Sequence, residues 1–190
     1  MTVITLPIRQ LVAGRLFGQV TGQRDFARIC ERLAGTPPGS TVLLDFDGIP
    51  LVSGSWANAA LVPLMEWVAD RRIDLYPILL NVSSESLEDM QLVAKWNHQT
   101  YLHAHGRKGL PSKARLLGAL DQGQMATLRC VLDLKEVTGA ELERRTDEPI
   151  KATAWNNRLK DLHSKRLLRR TKRGREQLYS PVVSEIIING

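Results

Sequence analysis

Hydrophobic residues in the first 118 positions alternate between the spacing of strands and the spacing of helices. Residues 2–6, 41–46 and 75–80 are short apolar runs typical of strands. Between the first two runs, Phe26 and Leu33 belong to a segment in which apolar residues recur at helical intervals. Strands that alternate with helices predict a small α/β domain with a mixed sheet.

Three helices are predicted in this part of the chain. Ser side chains stand where two of them start, and Ser is a preferred N-cap residue. Residues 105–113 have the Gly-rich, polar composition of a loop or a domain boundary. The predicted helices begin at Thr21, at Ser53 or Ser55, and at Ser84, and they end near Gly35, Ala69 and Tyr101.

From Asp121 the pattern changes to three amphipathic helices followed by a hairpin. The third helix carries Trp155, Leu159 and Leu162 on one stripe, and Gly174 marks the hairpin tip between two arginines. This order is that of a winged helix-turn-helix domain, so we predict an α/β domain over residues 1–118 and an α+β winged helix over residues 119–190. The predicted elements are helices at residues 121–134, 139–145 and 151–165, and strands at residues 167–172 and 177–183.

The positive charge of the chain is concentrated in the predicted winged helix. The chain is 43% hydrophobic, enough for a core, and has a net charge of +6. Residues 151–175 contain ten basic residues and one acid, Asp161, so this stretch carries +9 and the remainder a net −3. A local basic surface favours a polyanionic partner, and we expect duplex DNA.

The third predicted helix has one apolar side for docking and one polar side for base contacts. Asn can bond adenine, and Thr, Lys and Arg can contact bases or phosphates. Paired half-sites raise affinity, so we expect a homodimer. The candidate DNA-binding residues are Lys151, Thr153, Asn156, Asn157 and Lys160 on the helix, and Arg169, Arg170, Lys172, Arg173 and Arg175 on the hairpin.

The C-terminal motif carries a family resemblance. Residues 139–182, with "NRL", "LLRR", "RGR" and a Tyr in order, resemble the winged helix of bacterial transcription regulators of the MarR and ArsR kind. The resemblance implies sequence-selective DNA binding by the third helix. The alternative is a winged helix that serves as a protein-interaction module.

The N-terminal part carries a second resemblance. Residues 43–64, "LLDFDGIPLVSGSWANAALVPL", resemble the STAS domains of anti-sigma-factor antagonists. That resemblance implies a domain for a protein partner or signal, with a phosphorylatable Ser at the start of a helix. Ser53 and Ser55 stand at that place, and helix capping is the alternative role for either one. A protein-interaction switch without DNA binding is therefore the second functional hypothesis.

The same segment resembles the opening motif of haloacid-dehalogenase-type phosphatases, Asp45-x-Asp47-Gly48. In those enzymes the first Asp attacks phosphorus and the second acts as acid and base, with magnesium. Ile49 stands where they have Thr or Val, and the chain contains no Asp-Asp pair for the metal. A phosphatase is thus the third hypothesis, and we expect no enzyme activity.

The other candidate chemistry is sparse. Cys30 and Cys130 are distant in sequence and indicate free thiols in a reducing compartment. His103 and His105 lack the further ligands of a metal site. No signal peptide or long apolar span is visible, so we expect a soluble cytoplasmic protein without cofactor, metal or membrane partner.

Overall fold

A computed structural model describes residues 2–12, 15–70, 74–106 and 109–188 of the 190-residue chain. Within these residues the protein is mixed α/β. The strands are β1 (Val3–Pro7), β2 (Thr41–Asp45), β3 (Tyr76–Leu80), β4 (Thr100–Ala104), β5 (Lys113–Gly118), β6 (Leu168–Arg173), β7 (Glu176–Pro181) and β8 (Glu185–Ile187). The helices are α1 (Ile8–Leu11), α2 (Gln19–Leu33), α3 (Gly54–Asp70), α4 (Ser84–Trp96), α5 (Gln122–Leu134), α6 (Gly139–Arg145) and α7 (Ala152–Ser164).

The larger sheet has the strand order β1-β2-β3-β4-β5-β8. Strands β1 to β4 are parallel neighbours, β5 is antiparallel to β4, and β8 is parallel to β5. Consecutive parallel strands joined by right-handed crossovers place their connecting helices on one face of the sheet. Helices α2, α3 and α4 accordingly share a hydrophobic core with that face.

Side chains of the sheet alternate between two cores. Val42 and Leu44 point into the core formed with α2, α3 and α4, whereas Leu43 between them belongs to the opposite core. Every residue of β3 and β4 is buried. A sheet covered on both faces explains why these strands lack the polar alternation of a half-exposed strand.

The second face of the sheet is covered by the segment from α5 to β7, which we term the C-terminal unit. Ile78 and Leu102 of the sheet lie in one buried cluster with Trp155, Leu159 and Leu162 of α7. The predicted apolar stripe of the third helix therefore faces inward. It packs within the C-terminal unit and takes part in the core shared with the sheet.

The C-terminal unit begins its first two helices with reciprocal caps. The Asp121 side chain accepts from the Gln124 amide, and Thr138 accepts from the Glu141 amide, with both capping boxes complete. Strands β6 and β7 form an antiparallel hairpin, and Val137 adds a bridge to Tyr179 on β7. The segment between α5 and α6 is thus tied to the hairpin.

One expectation for the middle of the chain is wrong, and one strand there was not predicted. The helix from Ser84 ends at Trp96, and Tyr101 lies in β4, because His98 adopts a left-handed φ of 53° that reverses the chain. The predicted loop at residues 105–113 overlaps β5 only at Lys113, and residues 105–106 and 109–112 lie outside helices and strands. Sequence patterning did not predict β5. Strand β5 was hard to recognise because Lys113 and Arg115 face solvent at its start.

Strand pairing crosses the predicted division of the chain at residue 118. Strand β8 follows the C-terminal unit and pairs with β5, Ile186 opposite Ala114, so the two predicted domains share one sheet.

Arg166 is buried and donates to the carbonyls of Val68 and Ala69 at 3.1 and 3.3 Å. A guanidinium at these carbonyls caps the C-terminal end of α3.

Candidate nucleic-acid interface

Helix α7 presents a polar stripe to solvent. Thr153, Asn157 and Lys160 are exposed at positions i, i+4 and i+7. Trp155 and Leu159 are fully buried on the other side. The helix therefore has the two faces that the sequence predicts. Lys151, the residue before α7, is also exposed.

Asn156 is half-buried and lies against the start of α6. A Cβ on Gly139 would collide with the Asn156 side-chain oxygen, so the two helices approach closely at this glycine. Asn156 and Asn157 are neighbours in sequence but have different surroundings. Only Asn157 stands fully on the exposed side of α7.

The β6–β7 hairpin carries most of the remaining cations. Arg170, Lys172, Arg173 and Arg175 are exposed. Gly174 has a φ of 63°, a left-handed conformation that a glycine adopts without strain at the tight tip. The hairpin thus holds four positive side chains within six residues.

A groove joins α7 to the hairpin. It has a volume of about 280 Å³ and is lined by Asn156 and Lys160 of α7 and by Arg175, Glu176 and Gln177 after the tip, so its charged lining is two cations and one acid. The start of α6 closes its other side through Thr138. The helix and the hairpin therefore form one continuous polar surface, which we term the basic groove.

Acidic side chains neutralise part of this surface. Glu141 pairs with Arg173 at 2.9 Å, and Glu143 lies 3.7 Å from Lys151. The Thr138 amide, followed by Arg173, donates to the Glu141 carboxylate and lowers its pKa. Within the described residues, the salt bridges leave out Lys160, Arg170, Lys172 and Arg175.

Arg169 departs from its expected place. It donates to the Gly39 carbonyl at 2.9 Å and to the Thr41 hydroxyl, and it lies over the Tyr76 ring. Burial lowers the pKa of its guanidinium, while Tyr76 opposes that change. Arg169 belongs to the contact between the C-terminal unit and the sheet, so it is removed from the candidate DNA-binding set.

Sequence patterning also missed the docking role of two neighbouring basic residues. Lys165 donates to the His98 carbonyl at 2.9 Å, and Arg166 caps α3. In the sequence, Arg166 and Arg169 differ from the other basic residues of this region because they flank the buried pair Leu167 and Leu168. Charge composition alone does not separate the two groups.

Ser53 and Ser55 lie at the start of α3. Ser53 is half-buried, and its hydroxyl oxygen accepts from the Trp56 amide at 3.2 Å, which caps the helix. It also donates to the Leu16 carbonyl at 3.3 Å. Ser55 is exposed and lies 3.0 Å from Ser53, oxygen to oxygen.

Asp45 lies at the carboxyl end of β2, and one of its oxygens braces the following loop. It accepts from the Asn81 side chain at 2.8 Å and from the Asp47 amide at 3.1 Å. Asn81 in turn exchanges two hydrogen bonds with the Gly106 backbone. Through these contacts Asp45 links the loop after β2 to Asn81 and, through Asn81, to Gly106. Asp47 is exposed.

The two neighbouring histidines pack edge to face. The ring centres of His103 and His105 are 4.7 Å apart. His103 is buried, and desolvation, followed by the charges of His105 and Arg115, lowers its pKa to about 4. In the part of the chain that the structure describes, no three His, Cys, Asp or Glu side chains form a group fit for a metal ion.

Cys30 and Cys130 are both half-buried free thiols, and desolvation raises the pKa of each.

Among the described helices, none is long and apolar enough to cross a bilayer. Comparison with protein-family models, curated proteins and solved structures finds no match. The functional assignment therefore depends on the residues and geometry of this chain.

Proposed function

We propose that the protein is a DNA-binding transcription regulator whose C-terminal unit is a winged helix. The observation that carries the proposal is the basic groove, which places Lys160 of α7 and Arg175 of the hairpin on one surface. A helix for the major groove and a basic hairpin for the flanking backbone are the two contacts that winged helices make.

The order of elements supports this proposal. Helices α5, α6 and α7 are followed by the β6–β7 hairpin, and Val137 between α5 and α6 joins the hairpin as a short third strand. Val137 and Tyr179 exchange backbone hydrogen bonds of 2.9 and 2.8 Å. Three helices followed by a hairpin are the order on which we base the proposal.

Base contacts are assigned to the exposed stripe of α7, and phosphate contacts to the hairpin. Asn157 and Thr153 are exposed to solvent. Arg170, Lys172 and Arg175 grip the backbone, whereas Arg173 first has to leave Glu141. The proposed DNA-binding set is therefore narrower than the sequence indicated.

A fluorescence-anisotropy titration with random duplex DNA over a salt series tests the proposal. The four cations that the described salt bridges leave out, Lys160, Arg170, Lys172 and Arg175, predict a slope of about −3 to −4 per bound monomer in a plot of log affinity against log salt. An absent or flat response at low salt contradicts DNA binding and favours a protein-interaction switch instead.

A specific observation favours a protein contact through the N-terminal part. Trp96 is 75% exposed and Leu92, one turn earlier on α4, is 47% exposed. Both line a shallow pocket with Ser55. Large apolar side chains in one exposed patch are typical of interfaces.

We assign this patch to a second copy of the chain, because two DNA-binding units side by side fit paired half-sites. Sedimentation velocity of the full chain is expected to show a dimer that Trp96→Ser converts to a monomer. Val20→Ser is the matched control, because Val20 is 81% exposed on α2 and does not line the pocket. A wild-type monomer at all concentrations contradicts this assignment.

A further inference from the structure

A pocket of about 510 Å³ lies at the carboxyl ends of β1 and β2. Its described lining comes from the segments that follow these two strands, and a parallel bridge between Leu16 and Val52 joins the segments. No residue of the C-terminal unit is among them. The volume is within the range of small-molecule sites in proteins.

One side of this pocket is apolar. Val12 and Leu16 are buried at its base. Phe17 and Leu51 line it as well, yet they remain 41% and 38% exposed. Two large apolar side chains left accessible at a concave site indicate a surface that an apolar group can cover.

The other side of the pocket is cationic. Arg9 and Arg15 line it and are exposed. Neither arginine takes part in a salt bridge among the described residues, and none of the described lining residues is acidic. This differs from the hairpin, where Glu141 neutralises Arg173.

Gly48 leaves room for one of these cations. It has a left-handed φ of 74°, and a Cβ at this position would lie 2.7 Å from a terminal nitrogen of Arg9. The guanidinium thus rests over the glycine backbone at the edge of the pocket. Arginine pairs with carboxylates and related oxyanions through parallel hydrogen bonds.

From this pairing of chemistries we infer that the pocket binds a small organic anion with an apolar body, of the aromatic carboxylate class. Arg9 and Arg15 hold the carboxylate, and Phe17 and Leu51 cover the ring. The inference goes beyond the proposed function and does not depend on it, because the pocket and the basic groove have no lining residue in common.

Isothermal titration calorimetry with 2-naphthoate tests the site, with 2-naphthamide as the neutral analogue of the same shape. The carboxylate is expected to bind at least about tenfold more tightly than the amide, because the amide lacks the charge that pairs with arginine. Inorganic phosphate, which lacks the apolar body, is expected to compete poorly.

Variants locate the binding. Arg9→Gln and Arg15→Gln are each expected to weaken 2-naphthoate binding about tenfold or more, and Phe17→Ala to weaken both naphthyl compounds. Arg129→Gln is the matched control, since Arg129 is exposed on α5 outside the pocket. Thermal melting checks that each variant is folded.

Three results overturn the inference: equal affinity for the carboxylate and the amide, wild-type affinity in both arginine variants, or no heat with 2-naphthoate. Anisotropy with duplex DNA is measured on the same proteins. Retained DNA binding without naphthoate binding rejects the pocket alone, and the reverse result rejects the DNA-binding proposal alone.

Discussion

The guanidinium of Arg169 lies 4.3 Å from the centre of the Tyr76 ring and links β6 to β3 of the large sheet. Its hydrogen bonds to Gly39 and Thr41 add two contacts with β2 and the turn before it. Burial is the main cause of the raised pKa of Tyr76, and the charge of Arg169 opposes it. Arg169 is thus a docking residue between the C-terminal unit and the sheet.

Arg169→Gln is expected to lower the free energy of unfolding by about 2 to 3 kcal/mol, because it removes a stacked, hydrogen-bonded cation. Arg170→Gln, at the next and exposed position, is expected to change it by less than about 0.5 kcal/mol. Urea unfolding measures both. DNA affinity is expected to show the opposite order, with a loss for Arg170→Gln and little change for Arg169→Gln.

Asn157→Ala and Lys172→Gln are expected to affect DNA binding in different ways. The first removes a base contact and changes sequence preference, while the second weakens all sequences alike and reduces the salt slope by about 1. Selection from a random duplex library, followed by anisotropy on selected and scrambled sites, separates the two effects. Identical selected sequences for wild type and Asn157→Ala would mean that α7 does not read bases.

Glu141→Gln is expected to strengthen DNA binding severalfold. The substitution removes the negative charge that holds Arg173 at 2.9 Å, while Gln can still accept from the Thr138 amide in the capping box. Glu143→Gln, beside Lys151, is the companion variant and is expected to have a smaller effect because that pair is 3.7 Å apart. Unchanged affinity in Glu141→Gln would place Arg173 outside the DNA contact.

The buried His103 ring predicts a pH dependence of stability. Its pKa of about 4 in the folded state is below the unfolded value near 6.5, so the unfolded state takes up the proton first. Stability is therefore complete above about pH 6.5 and falls by roughly 2 to 3 kcal/mol as the pH approaches 4. Burial also lowers the pKa of His163, which adds to the loss in the same pH range.

His103→Phe is expected to make this decline shallower. Urea-unfolding free energies of the wild type and the variant at several pH values provide the measurement. Parallel curves for wild type and His103→Phe would show that another group dominates the acid response.

Periodicity predicted the elements with a clear pattern of apolar residues, among them α7 with its Trp155 stripe and β2 with Val42, Leu43 and Leu44 at its centre. It failed where the fold depends on distant partners. Strand β8 is only Glu185–Ile187 and is defined by pairing with β5, which lies about 70 residues earlier in the chain. No local pattern in so short a segment reveals that partner.

The same limit applies to the candidate site. Helical spacing predicts that Thr153, Asn157 and Lys160 lie on the polar side of α7, and all three are exposed in the structure. Arg169 and Arg173 have the same charge as their neighbours, but the Tyr76 ring and Glu141 that bind them lie on other elements. Tertiary contacts divide the basic residues into docking, paired and accessible groups.

The return of β8 to the sheet attaches the C-terminal unit at both of its ends. The chain leaves the sheet at Gly118 of β5 and comes back at Glu185, beside Lys113 of the same strand. Because both ends of the unit are attached to one strand and its core is shared with the sheet, we expect the unit to move together with the sheet. In the proposed dimer, the distance between the two α7 helices is then set by the sheets, and DNA sites whose half-sites differ in spacing by a few base pairs are expected to bind less tightly.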